Sequence, residues 1–213
     1  LSLQKVGRRR KADYLPDLPE PKERILKAAL QLFQEKGYAG VAIRDITSAA
    51  DVTQATLYHH FGDKKGLYIA VVVQTLEEIL KSLRKAIFTP GFENQLVEML
   101  TVFYRYRRAS IGTMLHEMTI HDEFTVEDAQ IVGTVINEGW RASVEWLMNE
   151  AIRRGELRPG NVAFYTQVIF ELGFSFARSP LGNWTGWSEE RQIAEVVKLL
   201  LNGFGLEEKP ALI

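Results

Sequence analysis

The chain has 213 residues, 46% apolar and 25% charged, an ordinary globular balance with enough apolar material for a sizeable core. It has no cysteine, which excludes a disulfide framework and any thiolate metal site and fits a reducing, cytoplasmic setting. The net charge of −1 is unevenly divided: residues 1–66 hold 12 Lys and Arg against 8 Asp and Glu (+4), and the remainder holds 14 against 19 (−5). A basic first third points to an anionic partner for that part alone. No apolar run approaches the roughly 18 residues that span a bilayer, so no membrane partner is expected.

Residues 1–20 are charged, contain Pro16 and Pro19, and read as a basic flexible arm. No apolar stretch follows Lys5, Arg8, Arg9, Arg10 and Lys11, so this is not a secretory signal. The chain starts at Leu1, and an upstream piece is expected to be absent or processed. The run GRRRK has two readings, a solvated tail or an arm along phosphates or into a minor groove. From Pro21, a good first-turn residue, Ile25, Leu26, Ala29, Leu32 and Phe33 recur at helix period, and Gly37 supplies a stop. Shorter helices fit residues 43–50 and 54–60. Asp63 can cap a longer one running to about Phe88, before Thr89-Pro90-Gly91.

Beyond Gly91, residues 92–109 read as a helix, 112–125 as a less regular piece, and 128–154 as one long helix ended by Gly155 and Pro159. Asn161 can cap an apolar helix to about Ala177. After the linker SPLGNWTGW, Ser188 opens a last helix to about Asn202, with Glu189 and Glu190 in its first turn. Strand signals are sparse. The expectation is an all-α fold of about nine helices, divided into the arm 1–20, a three-helix unit 21–66 and a larger helical body 67–213.

The segment IRDITSAADVTQATLYHHF, residues 43–61, fits a helix-turn-helix with the first helix supporting it. At about 100° per residue Leu57 and Phe61 fall on the inward side, and Gln54, Ala55, Tyr58 and His59 fall on the opposite arc. An amide can bond adenine in a bidentate way, and a methyl can pack on that of thymine. Phenol, imidazole, hydroxyl and ammonium groups suit phosphate oxygens. Thr53 stands at the helix N-cap, where its hydroxyl and the free amides can face an anion. Lys64 and Lys65 open the next helix beside this surface.

Two pieces, ILKAALQLFQEKGYAGVAIRDI and VTQATLYHHFGDKKGLY, with the Gly37-Tyr38 pair and their spacing, resemble the DNA-binding domain of the TetR family of transcriptional repressors. The resemblance covers residues 22–68, about a quarter of the chain. It implies phosphate contacts from Thr53, Tyr58, His59 and Lys64, base contacts from Gln54 and Ala55, and a backbone or base contact from Arg44. It departs from the family at three places. Ala42 stands where a Ser or Thr usually caps the second helix, a loss of about 1 kcal/mol. Asp51 replaces the turn glycine, a position that Asp tolerates better than most residues. Thr47 replaces a common alanine.

An enzymatic or metal site is the rival reading of the same residues. His59 and His60 are adjacent and point apart on a helix, and His116 and His121 are spaced i, i+5 rather than the i, i+4 of a helical metal pair. No nucleophile motif such as GxSxG is present. No catalytic residue, metal or cofactor is therefore expected. The exposed arc would equally serve a helical protein-interaction module without a DNA role, and salt-sensitive, sequence-dependent duplex binding separates the two.

The body is rich in large apolar residues, most of them core. The resemblance implies that some enclose an effector pocket. Candidates are Phe103, Arg107, His116, Met118, His121, Asn137, Trp140, Gln167 and Phe170, and their aromatic content points to an apolar or aromatic effector. Residues 162–177 and 188–202 carry more apolar positions than one core stripe needs: Val168, Leu172, Val196, Val197, Leu199, Leu200 and Leu201. The family dimerises through such helices. A homodimer reading a pseudo-palindrome, released by a small molecule, is what the resemblance implies.

Overall fold

The computed structural model describes residues 19–106, 111–178 and 186–204. Among them only helices occur: α1 (Pro21–Lys36), α2 (Ile43–Ala50), α3 (Gln54–Phe61), α4 (Lys64–Ala86), α5 (Phe92–Tyr106), α6 (Ile111–Ile120), α7 (Val126–Thr134), a π-helical segment (Val135–Arg141), α8 (Ala142–Arg153), α9 (Val162–Arg178) and α10 (Glu189–Phe204). The π segment joins α7 to α8 without a break, so these form nine helical rods among the described residues. Most of the basic arm, Arg107 and most of the SPLGNWTGW linker lie outside those residues.

The starts and stops are local. Pro21 opens α1, and Gly37, at φ 70°, closes it by donating its N–H to the Phe33 carbonyl. α2 begins at Ala42 without a side-chain cap, and Asp51 ends it in the left-handed conformation at φ 51°. Thr53 caps α3, Asp63 caps α4 through the Gly66 amide, and Asn161 caps α9 through the Phe164 amide. Ile25, Ala29 and Phe33 of α1 meet Ile46, Ala50 and Leu57 in one buried cluster, which continues along α4 into the body.

Two regions depart from the periodic reading. The expected irregular piece 112–125 is a regular helix, α6, followed by a turn and the N-terminus of α7. There Thr125 accepts from the Asp128 amide while Asp128 accepts from the Thr125 amide, a reciprocal cap that starts the helix at Val126. The expected single helix 128–154 is wound more widely from Val135 to Arg141. Gly139 sits in that segment against Leu80 of α4, where a Cβ would collide with the leucine methyls. Close approach to α4 therefore accompanies the altered winding.

Candidate nucleic-acid interface and its junction with the helical body

α3 is eight residues long, too short to persist alone in water. Its ends are fixed by the Thr53 hydroxyl, which accepts from the Thr56 amide at 3.1 Å, and by Gly62, whose N–H reaches the Tyr58 carbonyl. Leu57 is its one fully buried residue, and Phe61 is half-buried. Gln54, Ala55, Tyr58 and His59 are all exposed, Tyr58 by 45%. The four residues of the expected outward arc are thus all solvent-exposed. Helix geometry leaves the Gln54 and Ala55 amides without intrahelical acceptors, so the N-terminus can receive a phosphate oxygen. Arg44, at the start of α2, is exposed.

His59 and His60 pack ring to ring at 5.4 Å, with His60 also against Phe61. No group of three or more His, Asp or Glu side chains among the described residues is arranged to hold a metal.

Lys64 has a second engagement. Its ammonium lies 4.5 Å from the centre of the Tyr38 ring, a cation–π contact that holds the charge beside the α1–α2 turn. Tyr38 is the centre of a junction unforeseen from the sequence. Its ring packs against Phe33, Tyr68, His121 and Phe124, the last two contributed by the α6–α7 corner. Its hydroxyl donates to Glu123 at 2.7 Å, and its backbone N–H donates to Glu117 at 3.0 Å. The same Glu117 oxygen accepts from the Tyr68 hydroxyl at 2.7 Å. Burial first, and then the neighbouring carboxylates, push both phenols well above the ordinary tyrosine range, so both remain hydrogen-bond donors.

A second tie joins Lys65 of α4 to Asp128 of α7 at 3.0 Å. The Thr125 amide, and then Lys65, hold the Asp128 carboxyl below its usual value. A carboxyl depressed in the folded state contributes stability that is complete above its unfolded pKa of about 3.9 and is lost as pH falls through the folded value. Asp128→Asn should therefore flatten part of the acid limb of a stability profile below about pH 4. A limb identical to the parent would show that Asp128 contributes none of it.

The effector candidates divide. Asn137, Trp140, Gln167 and Phe170 line one cavity of about 170 Å³, together with Ile136, Arg141 and Thr166. Phe103 packs edge-on against Trp140 at 4.9 Å, with Gly173 of α9 close against the Phe103 ring. Met118 packs on the core, His116 is exposed, and His121 belongs to the Tyr38 junction; none of the three lines that cavity. Sequence reasoning assigned no place in this junction or cavity to Glu117, Glu123, Phe124, Asp128 or Thr166. Only Asp128 had a local signal, the Thr-x-x-Asp spacing of a helix start.

A short helix that follows a tight turn, is pinned by one leucine and presents an amide, a phenol and an imidazole has the architecture of a helix-turn-helix unit. Residues 25–71 match the family described as "Bacterial regulatory proteins, tetR family". That match places a DNA-binding domain of the tetR type at residues 25–71, and over that segment the chain is similar to bacterial transcription regulators. It is 27% identical over 161 residues to the HTH-type transcriptional regulator UidR of Escherichia coli, covering 71% of this chain and 76% of UidR. It is 29% identical over 126 residues to the HTH-type transcriptional repressor DhaR of a Mycobacterium species, covering 59% of this chain and 61% of DhaR. In fold it is similar to the transcriptional regulator FadR of Bacillus subtilis, solved in complex with stearoyl-CoA. The TM-score is 0.71 at 20% identity, covering 85% of this chain and 98% of FadR.

Proposed function

We propose that the chain is a homodimeric repressor that binds a pseudo-palindromic operator and leaves it when a small apolar or aromatic effector enters the helical body. The observation that carries the DNA half is the division of α3, with Leu57 wholly buried and Gln54, Ala55, Tyr58 and His59 all exposed. The name of DhaR, a repressor, favours repression as the output. α9 and α10 support the dimer: Phe164 and Leu199 are exposed, Leu199 by 71%, and Val168, Leu172, Val196 and Leu201 are half-buried, whereas Val197 and Leu200 of the expected surface are buried within the chain itself. A second copy would cover that surface about a two-fold axis.

The release half follows the contacts. The cavity-lining π segment abuts α4 at Gly139 and Leu80, and α4 begins with Lys64 and Lys65, which meet Tyr38 and Asp128. A ligand that prefers one setting of the π segment would therefore bias α4 and the separation of two recognition helices. A ligand indifferent to the setting would shift nothing. A cavity of about 170 Å³ suits a small effector rather than a long acyl chain of the kind bound by FadR.

The test begins with a duplex selected from a random pool by the full chain. Tyr58→Ala with His59→Ala should weaken binding to it by about tenfold or more, at unchanged helicity and oligomeric state, through loss of two phosphate contacts. Undiminished affinity would overturn the surface assignment. Salt-independent binding, or no selected duplex, would favour the interaction-module reading instead.

A further inference from the structure

Trp140 and Thr166 are 4% and 1% exposed, and both line the cavity between the π segment and α9. The Trp140 indole N–H and the Thr166 hydroxyl have no hydrogen-bond partner among the described residues. A buried polar group left unpaired costs about 1–3 kcal/mol, and one cavity adjoins two such residues. The winding of the helix contributes to the lining. At an α-helical pitch of about 100° per residue Arg141 would stand some 140° round from Ile136. The wider π winding turns less per residue and brings Arg141 back towards the face of Ile136, Asn137 and Trp140. Altered winding of this kind recurs at functional sites.

The lining dictates what fits. An indole N–H donates only, a guanidinium donates only, and the Thr166 hydroxyl can donate as well as accept. Among the described residues the lining has one cationic side chain, Arg141, and no carboxylate. Arg141 is held by the Gln167 amide oxygen at 3.2 Å and by Glu145 at 3.8 Å. The Glu145 pair is half-exposed on both sides, which leaves the guanidinium weakly committed. Trp140 and Phe170 supply aromatic surface, their ring centres 6.0 Å apart. In size the cavity compares with apolar cavities of about 150 Å³ that accept one benzene ring.

We propose that this cavity binds a small single-ring carboxylate. The ring packs against Trp140 and Phe170, the carboxylate oxygens take the Trp140 N–H and the Thr166 hydroxyl, and Arg141 balances the charge. The proposal rests on the effector reading above and names the ligand class for it.

The test uses the full chain without DNA, titrated with benzoate and with cyclohexanecarboxylate and followed by calorimetry and tryptophan fluorescence. Benzamide (ring without charge), acetate (charge without ring) and octanoate (charge on a long chain) are the controls. At least one ring acid should bind saturably, about tenfold or more tighter than any control, and Thr166→Val and Arg141→Met should each weaken it by a similar factor. Trp140→Phe, which keeps the ring and removes the donor, replaces either variant that loses helicity. No saturable binding of either acid, equal binding of benzamide, tighter binding of octanoate, or binding that the variants leave unchanged would each overturn the proposal. Release of the selected duplex is read separately. An acid that binds without releasing DNA sinks the effector reading and leaves the site standing. Absence of binding sinks the site and leaves other effectors open.

Discussion

Replacing Leu57 by alanine should release the recognition helix and lower stability by about 2–5 kcal/mol, the range for truncating a buried leucine. The expected effect is large because α3 has so little else. It is one helical turn beyond its nucleus, its caps offset only its end groups, and Phe61 and Val52 contribute half-buried contacts at its two ends. Leu57 is wholly buried, against a cluster that includes Ile46 and Ala50 of α2 and Phe33 of α1. Removing its branch leaves a cavity at the crossing of three short helices, where little surrounding mass can collapse to fill it. Hydrogen exchange should show α3 amides losing protection while those of α5 and α8 keep theirs, and binding to the selected duplex should fall with them. A loss below about 1 kcal/mol, with α3 still protected, would mean that other contacts hold the helix.

The contrast between α3 and the π segment explains what the sequence discloses. α2 and α3 lie within a residue of their expected limits because their determinants are local: a cap at Thr53, a left-handed position at Asp51, and inward residues four apart. A face defined by period reads well from one chain. The cavity does not, because Trp140, Phe170 and Phe103 carry the same periodic signal whether they close a core or bound a space. What distinguishes them is tertiary. The winding at Val135–Arg141 and the close approach of Gly139 to Leu80 and of Gly173 to Phe103 depend on neighbours more than fifty residues away. An isolated helical glycine looks like a cost of about 1 kcal/mol until the partner that needs its missing Cβ is known. α6 is similar. Its apolar spacing is weak, and it is held in place by Glu117 reaching the α1–α2 turn.

That reach sets the second large expectation. Glu117→Ala should cost about 2–4 kcal/mol, since hydrogen bonds to an ionised group contribute about 1.5–3 kcal/mol each and a stranded buried donor adds to the loss. Two donors are affected, unequally. Among the described residues the Tyr38 amide donates to the Glu117 carboxylate, whereas the Tyr68 hydroxyl also lies 3.1 Å from the Met114 carbonyl and can turn to it. The carboxylate is half-exposed, which keeps the figure below the sum of two fully buried bonds. Glu117→Gln retains an acceptor of the same shape without the charge, so its loss should be about half as large. Gly37 makes the arrangement specific: at φ 70°, its missing Cβ would stand 2.5 Å from a Glu117 oxygen. The carboxylate therefore occupies space that only glycine leaves open. If the junction transmits the state of the body to α3, both variants should also weaken coupling between ligand and DNA, and by reciprocity each ligand's effect on the other must shrink by the same factor. Denaturant titration gives the stability term, and duplex affinity with and without ligand gives the coupling. Stability lost at unchanged coupling would make Glu117 a brace, and coupling lost with it makes Glu117 the link between the two halves.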